Sequence, residues 1–310
     1  MFRTWSQPGR LPVLFLFGAV SGLLPAQQAA SRRPSPIRAS VDLVLVPVTV
    51  TDRRGASIEG LGPGHFTVLE DKVPQQIVSF GSEEGRCSIG IVLDLSGSMR
   101  NNLSLAKEVV RRIVTQTGDG DEMFLLTVSS RPQTRSVFTT YPDRLGARVQ
   151  PVSAEGWTAL NDTVFLGLER MQTARSPRKA IIVVSDGMDN HSRFGTAELL
   201  GTAIEADTQI YTVGLTDIAG FKKPIEVTEE RNGIVLLREF AAQTGGLYFG
   251  VNGRADVAAA AENIGHAIRN RYVLGYYAGR QGPRGKWRKI QVKLGVPGAA
   301  VAARSGYYAP

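Results

Sequence analysis

The chain holds a single cysteine among 310 residues, Cys87, and only three histidines, His65, His191 and His266. One thiol excludes an internal disulfide, so stability must come from core packing and from any bound metal. Three histidines leave few candidates for a catalytic base. Aromatic residues make up 7% of the chain and are not interleaved with basic ones on one sheet, which argues against nucleic-acid binding despite a formal net charge of +8. The basic excess is scattered, at Arg32-Arg33, Arg111-Arg112 and between Arg280 and Lys289. No segment beyond the N-terminus is long and apolar enough to span a membrane.

The N-terminus has the pattern of an export leader. Arg3 and Arg10 precede an apolar run over 11–24, which Gly18 and Gly22 interrupt and which ends at Pro25-Ala26. A short positive region, an apolar core and a small residue at the cleavage point predict a signal peptide over 1–26. An uncleaved anchor is the alternative. With cleavage no transmembrane segment remains, and the mature chain is secreted, in a periplasm or outside the cell. The polar, proline-bearing stretch 27–38 reads as a linker.

Two β-rich segments flank a long middle region. Between 39 and 85, Val41 to Val50 is dense in β-branched residues, and Phe66, Val68, Leu69, Val73 and Ile77 continue a strand pattern. Pro47 within the first run predicts an edge strand or a bulge. After 271, three strands are expected, over 272–277, 287–294 and 301–308. Each flank is small for an independent domain. The expectation is that 39–85 and 271–310 pair into one discontinuous β-sandwich; two unrelated extensions are the alternative.

From 87 to 270 strand and helix alternate. SIGIVLD (88–94), EMFLLTVS (122–129) and AIIVVS (180–185) are apolar runs of the kind buried on both faces of a parallel sheet. Leu103, Ala106, Val109, Val110, Ile113 and Val114 recur at helical spacing. Further helices are expected over 161–171, 197–206, 236–244 and 257–268, strands over 209–214 and 247–251, and an edge strand over 136–140. This is the pattern of an α/β fold, a doubly wound, mostly parallel sheet flanked by helices.

Chemistry concentrates at three loops. Asp94-Leu95-Ser96-Gly97-Ser98 follows the first buried strand and precedes a helix. In an open α/β sheet, ligands bind outside the carboxyl ends of strands. Alternate residues there offer one carboxylate and two hydroxyls, hard oxygen donors suited to Mg²⁺, Ca²⁺ or Mn²⁺ and poorly to zinc or copper. Gly97 is expected to let the loop bend. Thr158 lies in a second loop before a helix, and Asp186 closes a third strand.

These residues resemble the metal ion-dependent adhesion site of the von Willebrand factor A family, whose D-x-S-x-S loop, later threonine and later aspartate fall on Asp94, Ser96, Ser98, Thr158 and Asp186. The flanks, with Val50-Thr51-Asp52, Phe66-Thr67-Val68-Leu69-Glu70-Asp71 and Arg304-Ser305-Gly306-Tyr307-Tyr308, are most similar to the VWFA-related acidobacterial type. The resemblance implies a divalent metal, Mg²⁺ first, with Ser96, Ser98 and Thr158 coordinating directly or through water. Asp94 and Asp186 would act mostly through bridging water. One coordination position would stay open for an acidic residue of a protein partner, an adhesive role rather than an enzymatic one.

Trp157 departs from the small residue expected before the threonine; it is either an anchor at the rim or packed beneath the loop, the latter being the default. Asp162 reads as a helix cap, and Asp189, Asn190, His191 and Ser192 as polar loop residues. Two alternatives remain. One is a metal-dependent hydrolase with Ser96 or Ser98 as nucleophile and His191 as base, although no G-x-S-x-G elbow is present. The other is a structural domain with a vestigial metal site.

Overall fold

The structure, a computed structural model, describes residues 42–83, 85–149, 153–216, 224–279 and 283–309. The leader over 1–26 and the linker over 27–38 lie outside the described residues. Four strands come first: β1 (Leu43–Thr51), β2 (Phe66–Glu70), β3 (Val73–Gln75) and β4 (Ile77–Glu83). The chain then enters the α/β region through β5 (Cys87–Asp94), α1 (Leu103–Thr115), β6 (Glu122–Val128), β7 (Gln133–Thr139), α2 (Pro142–Val149) and α3 (Leu160–Met171). It continues through β8 (Arg178–Ser185), α4 (Thr196–Glu205), β9 (Thr208–Leu215), α5 (Pro224–Thr244), β10 (Tyr248–Val251) and α6 (Arg254–Arg269). It ends in β11 (Arg271–Tyr277), β12 (Trp287–Leu294), β13 (Ala300–Ala303) and β14 (Gly306–Tyr308).

The α/β region is built on a six-stranded sheet of order β10-β9-β8-β5-β6-β7, parallel except for the β7 edge. Strands β5, β6, β8 and β9 are almost wholly buried, because helices cover both faces. On one face α1 and α6 press Ala106, Val109, Val110, Ile113, Val257 and Ile264 onto the sheet. On the other, α3, α4 and α5 contribute Leu160, Val164, Leu168, Leu199 and Phe240. Cys87, which opens β5, is 1% exposed, and burial pushes its thiol pKa up, so it sits as a small apolar group.

The flanking strands form two four-stranded sheets, β13-β1-β11-β4 and β14-β12-β2-β3, each drawing strands from both ends of the chain. Their shared core includes Val44, Val46, Val48, Phe66, Val68, Tyr272, Leu274, Ile290 and Val292. The strands that precede β5 thus pair with those that follow α6, on either side of the α/β region in sequence. Pro47 lies where β1 is paired on one side: β11 runs beside it, while β13 begins to pair at Val48. The single strand expected over 301–308 is two strands in different sheets, broken at Arg304-Ser305. That break is fixed from outside the sandwich. The Ser305 N–H donates to the Gln243 carbonyl at 3.0 Å, and Arg304 pairs with Asp207 at 3.5 Å.

Residues 41–310 form one compact unit. Arg178, at the start of β8 and 5% exposed, joins its parts. Its guanidinium donates to the Gly85 carbonyl at 2.9 Å, to the Arg269 carbonyl at 2.8 Å, and to the Ile268 carbonyl. These carbonyls belong to the two places where the chain passes between the flanking sheets and the α/β region. Among the described residues no helix is long and apolar enough to cross a membrane.

Two helices exceed or escape the sequence expectation. Helix α2 begins at Pro142, whose fixed φ and missing N–H suit a first helical turn. Helix α5 starts twelve residues before the expected Leu236 and runs straight through Asn232-Gly233. A Cβ on Gly233 would overlap the Asp186 carbonyl, and a Cβ on Gly187 (φ 83°) would overlap Gly233. The glycine that reads as a helix breaker is therefore a close-approach residue. It lets α5 lie against the loop that carries Asp186.

Candidate functional site

β5 and β8 are adjacent parallel strands, with Leu93 level with Val184, so Asp94 and Ser185 emerge side by side at the carboxyl end of the sheet. The Ser185 hydroxyl donates to Asp94 Oδ2 at 2.5 Å, and the Ser96 N–H donates to Asp94 Oδ1 at 2.8 Å. Both oxygens of this fully buried carboxylate thus already hold a protein donor. The Ser185 hydroxyl in turn accepts the Gly187 N–H at 2.8 Å. The Ser96 and Ser98 hydroxyls lie 3.1 Å apart, and the Ser98 hydroxyl donates to Asp186.

Backbone hydrogen bonds tie the second and third loops to the first. The Gly97 N–H donates to the Gly156 carbonyl at 3.0 Å, and the Glu155 N–H donates to the Leu95 carbonyl at 2.8 Å. Gly97 serves this approach rather than a left-handed turn, since its φ is not positive. The Thr158 N–H donates to Asn190 Oδ1 at 2.9 Å, and the Thr158 carbonyl accepts from the Asn190 and His191 N–H groups. All five residues singled out from sequence therefore stand on loops that meet at one end of the sheet. Asp94, Ser96, Thr158 and Asp186 are buried, and Ser98 is exposed at the rim.

The electrostatics of the pair are those of acids awaiting positive charge. Burial, and after it the Asp186 charge, raise Asp94 from 3.8 to about 7. Burial also raises Asp186, against the Ser98 hydrogen bond, and the charge of a further acid, Glu230, adds to the rise. Two buried carboxylates whose leading charged neighbours are negative are costly unless a cation joins them. Two acids with three hydroxyls form a hard oxygen set that fits a divalent ion. Among the described residues no cluster of three or more His, Cys, Asp or Glu has metal-binding geometry, so serine and threonine hydroxyls must complete any such set.

Several neighbours differ from their sequence reading. Asp162 does not cap α3, whose N-cap is Ala159. It is buried within the first turn of α3 and accepts the Arg193 and Phe194 N–H groups at 2.8 and 3.0 Å. Asp189 accepts from the Asn161 and Ser192 N–H groups. The loop after Asp186 is thus fastened to α3 and Thr158 by its own polar side chains, rather than left facing water. Trp157 is 62% exposed and stacks on the His191 ring, with centroids 6.4 Å apart, so it stands on the rim rather than beneath the loop. Glu230 escaped the sequence analysis because its stretch of α5 lacks a clear apolar periodicity.

Residues 89–188 match the profile of the von Willebrand factor type A domain, and this span holds all five residues. The chain carries a von Willebrand factor type A domain. A curated relative of the A domain chain, an uncharacterized protein of Borreliella burgdorferi, is 22% identical over 183 residues, covering 53% of each protein. The chain thus spans about half the length of that relative. The solved structure of the conserved hypothetical protein BatB from Bacteroides thetaiotaomicron is 22% identical with a TM-score of 0.47, covering 58% of this chain and 97% of that one. A von Willebrand factor type A structure from Catenulispora acidiphila is 14% identical with a TM-score of 0.49, over 87% of this chain and 73% of that one. A domains of this type serve protein–protein interaction.

Proposed function

We propose that the A domain binds one divalent cation, Mg²⁺ before Ca²⁺ or Mn²⁺, through Asp94, Ser96, Ser98, Thr158 and Asp186, and that it thereby holds an acidic residue of a protein partner outside the cytoplasm. The observation that carries this reading is the pair of buried acids, Asp94 and Asp186, each held up first by burial and further by another negative group. A bound cation would supply the missing positive charge and an exchangeable position for a carboxylate.

The chain's own residues divide the work. Asp94, already holding the Ser185 hydroxyl and the Ser96 N–H, acts as a charged backstop and orients the serine loop. Ser96 and Ser98 present neutral oxygens, so the set does not over-neutralise a divalent ion. The exposed Ser98 marks the side on which a partner carboxylate approaches, and Trp157 gives that side an aromatic ledge. Segments 39–85 and 271–310 act as one supporting domain for the A domain over 87–270. Export rests on the apolar run at 11–24 behind Arg3 and Arg10.

Calorimetric titration of the protein with Mg²⁺, Ca²⁺ and Mn²⁺ tests the reading. One site is expected, and Asp186→Asn and Ser98→Ala should abolish it while the far-ultraviolet circular dichroism is unchanged. Absence of heat and of thermal stabilisation with all three ions would leave a vestigial site and end the proposal.

A further inference from the structure

We infer that the partner presents an extended acidic segment rather than a lone carboxylate, and that α1 continues the binding surface away from the metal loop. The inference rests on the proposed metal-held carboxylate for its starting point. Arg100 stands two residues after Ser98 and opens a groove of about 650 Å³ whose other charged lining is Lys107, Glu108, Arg111 and Arg254. Four cations face one acid there. Glu108 is engaged by basic groups, lying 3.6 Å from Arg112 and 3.9 Å from Arg254.

One member of the row already has a partner within the fold, Arg254 of α6 pairing with Glu108 of α1. The opposite face of α1, with Ala106, Val109, Val110, Ile113 and Val114, supplies its buried contacts. Residues 107 and 111 are four apart on one helix face, and like charges so placed weaken a helix. A basic excess is common on a chain of net charge +8 and usually means a solvated face. What sets this one apart is a concave shape whose lining begins two residues after Ser98 in the chain.

Spacing identifies the occupant. Side chains four apart on a helix lie roughly 6 Å from one another. Alternate side chains of an extended chain are about 6.6 Å apart. A segment with acids at every second position therefore matches Lys107 and Arg111. Lys107 and Arg111 alone match about two extended residues, and Arg100 and Arg254 add to the basic lining. The charged lining offers no aromatic surface for base stacking, so a single-stranded nucleic acid fits it less well.

Fluorescence anisotropy with two labelled peptides tests the inference. One carries a single Asp in a Gly/Ser background, the other carries Asp at alternate positions. Each is titrated with Mg²⁺-loaded protein and with the double variant Arg111→Glu, Arg254→Glu, whose metal binding is followed separately by calorimetry. The alternating peptide should bind the wild type about tenfold more tightly than the single-Asp peptide, with the advantage shrinking as salt is raised. The double variant should lose that advantage and keep its metal.

Equal affinity for the two peptides, or an advantage that survives the charge reversal, overturns the inference. So does failure of both peptides to bind while the metal titrates normally, an outcome that leaves the metal reading standing. Binding of the alternating peptide that persists in chelator, yet disappears on charge reversal, upholds the groove and defeats the metal-held carboxylate. Heparin binding equally well through the same residues would make the groove a general polyanion surface and overturn the peptide assignment.

Discussion

Glu70 accepts a hydrogen bond of 2.7 Å from the Tyr307 hydroxyl, across 237 residues of sequence. The same carboxylate takes the Tyr276 hydroxyl at 2.8 Å and Arg288 Nη1 at 2.7 Å, all in the buried middle of the sandwich. One acid from the N-terminal strands thus gathers donors from three C-terminal ones. Glu70→Ala leaves Arg288 buried without its carboxylate and should cost about 3–5 kcal/mol. Tyr307→Phe removes one donor and should cost about 1.5–3 kcal/mol. Urea unfolding of both variants checks the order; equal effects would mean that the tyrosine, not the ion pair, holds the cluster.

Gly233→Ala should separate α5 from the Asp186 loop. The added methyl meets the Asp186 carbonyl and the Gly187 backbone, and overpacking of this kind costs about 1–3 kcal/mol. A fall in melting temperature together with weaker divalent binding is expected. Gly146→Ala, at a helix position with nothing close to an added methyl, serves as the control; it should leave divalent binding unchanged and raise stability by about 0.5–1 kcal/mol rather than lower it.

The raised Asp94 pKa predicts a pH slope in metal-free protein. Between the ordinary value of 3.8 and about 7, the folded state keeps a proton on Asp94 that the unfolded state releases. Stability relative to Asp94→Asn is therefore greatest at low pH and is lost as pH rises through about 7. Urea titrations in chelator at acidic, near-neutral and alkaline pH measure it. Saturating Mg²⁺ should flatten the slope, because the ion favours the charged carboxylate.

Arg178→Met should uncouple the two parts of the fold. It strips donors from the carbonyls of Gly85, Ile268 and Arg269, at a cost of about 3 kcal/mol or more. Limited proteolysis near Gly85 should quicken, and thermal unfolding should broaden or split as sandwich and A domain lose their common transition. A single transition of unchanged width would mean that the tail contacts at Arg304 and Ser305 suffice.

The parts of the fold legible in the sequence are those in which a local pattern and a burial demand agree. SIGIVLD and AIIVVS are apolar runs of the kind a sheet covered on both faces buries, and D-x-S-x-S falls at the carboxyl tip of the first, where the chain leaves the sheet. What escaped reading depends on distant contact. Asn232-Gly233 breaks helices unless a neighbouring backbone needs the room, and that neighbour is Asp186. Asp162 looks like a cap until the Arg193 and Phe194 N–H groups are brought to it. The kink at Arg304-Ser305 exists because Gln243 and Asp207 lie beyond the sandwich. Trp157 has a neutral local signal, and only its stacking on His191 gives it a place.

The pairing of the two flanks with each other has a mechanical corollary. A pull entering at β1 and leaving at β14 runs through strands of the sandwich and bypasses the A domain, whose two connections lie together under the Arg178 guanidinium. Tension on the ends of the fold is carried first by β1 against β11 and β13, and by β14 against β12. Tension applied at those two strands would reach the α/β region only after their pairing had begun to part.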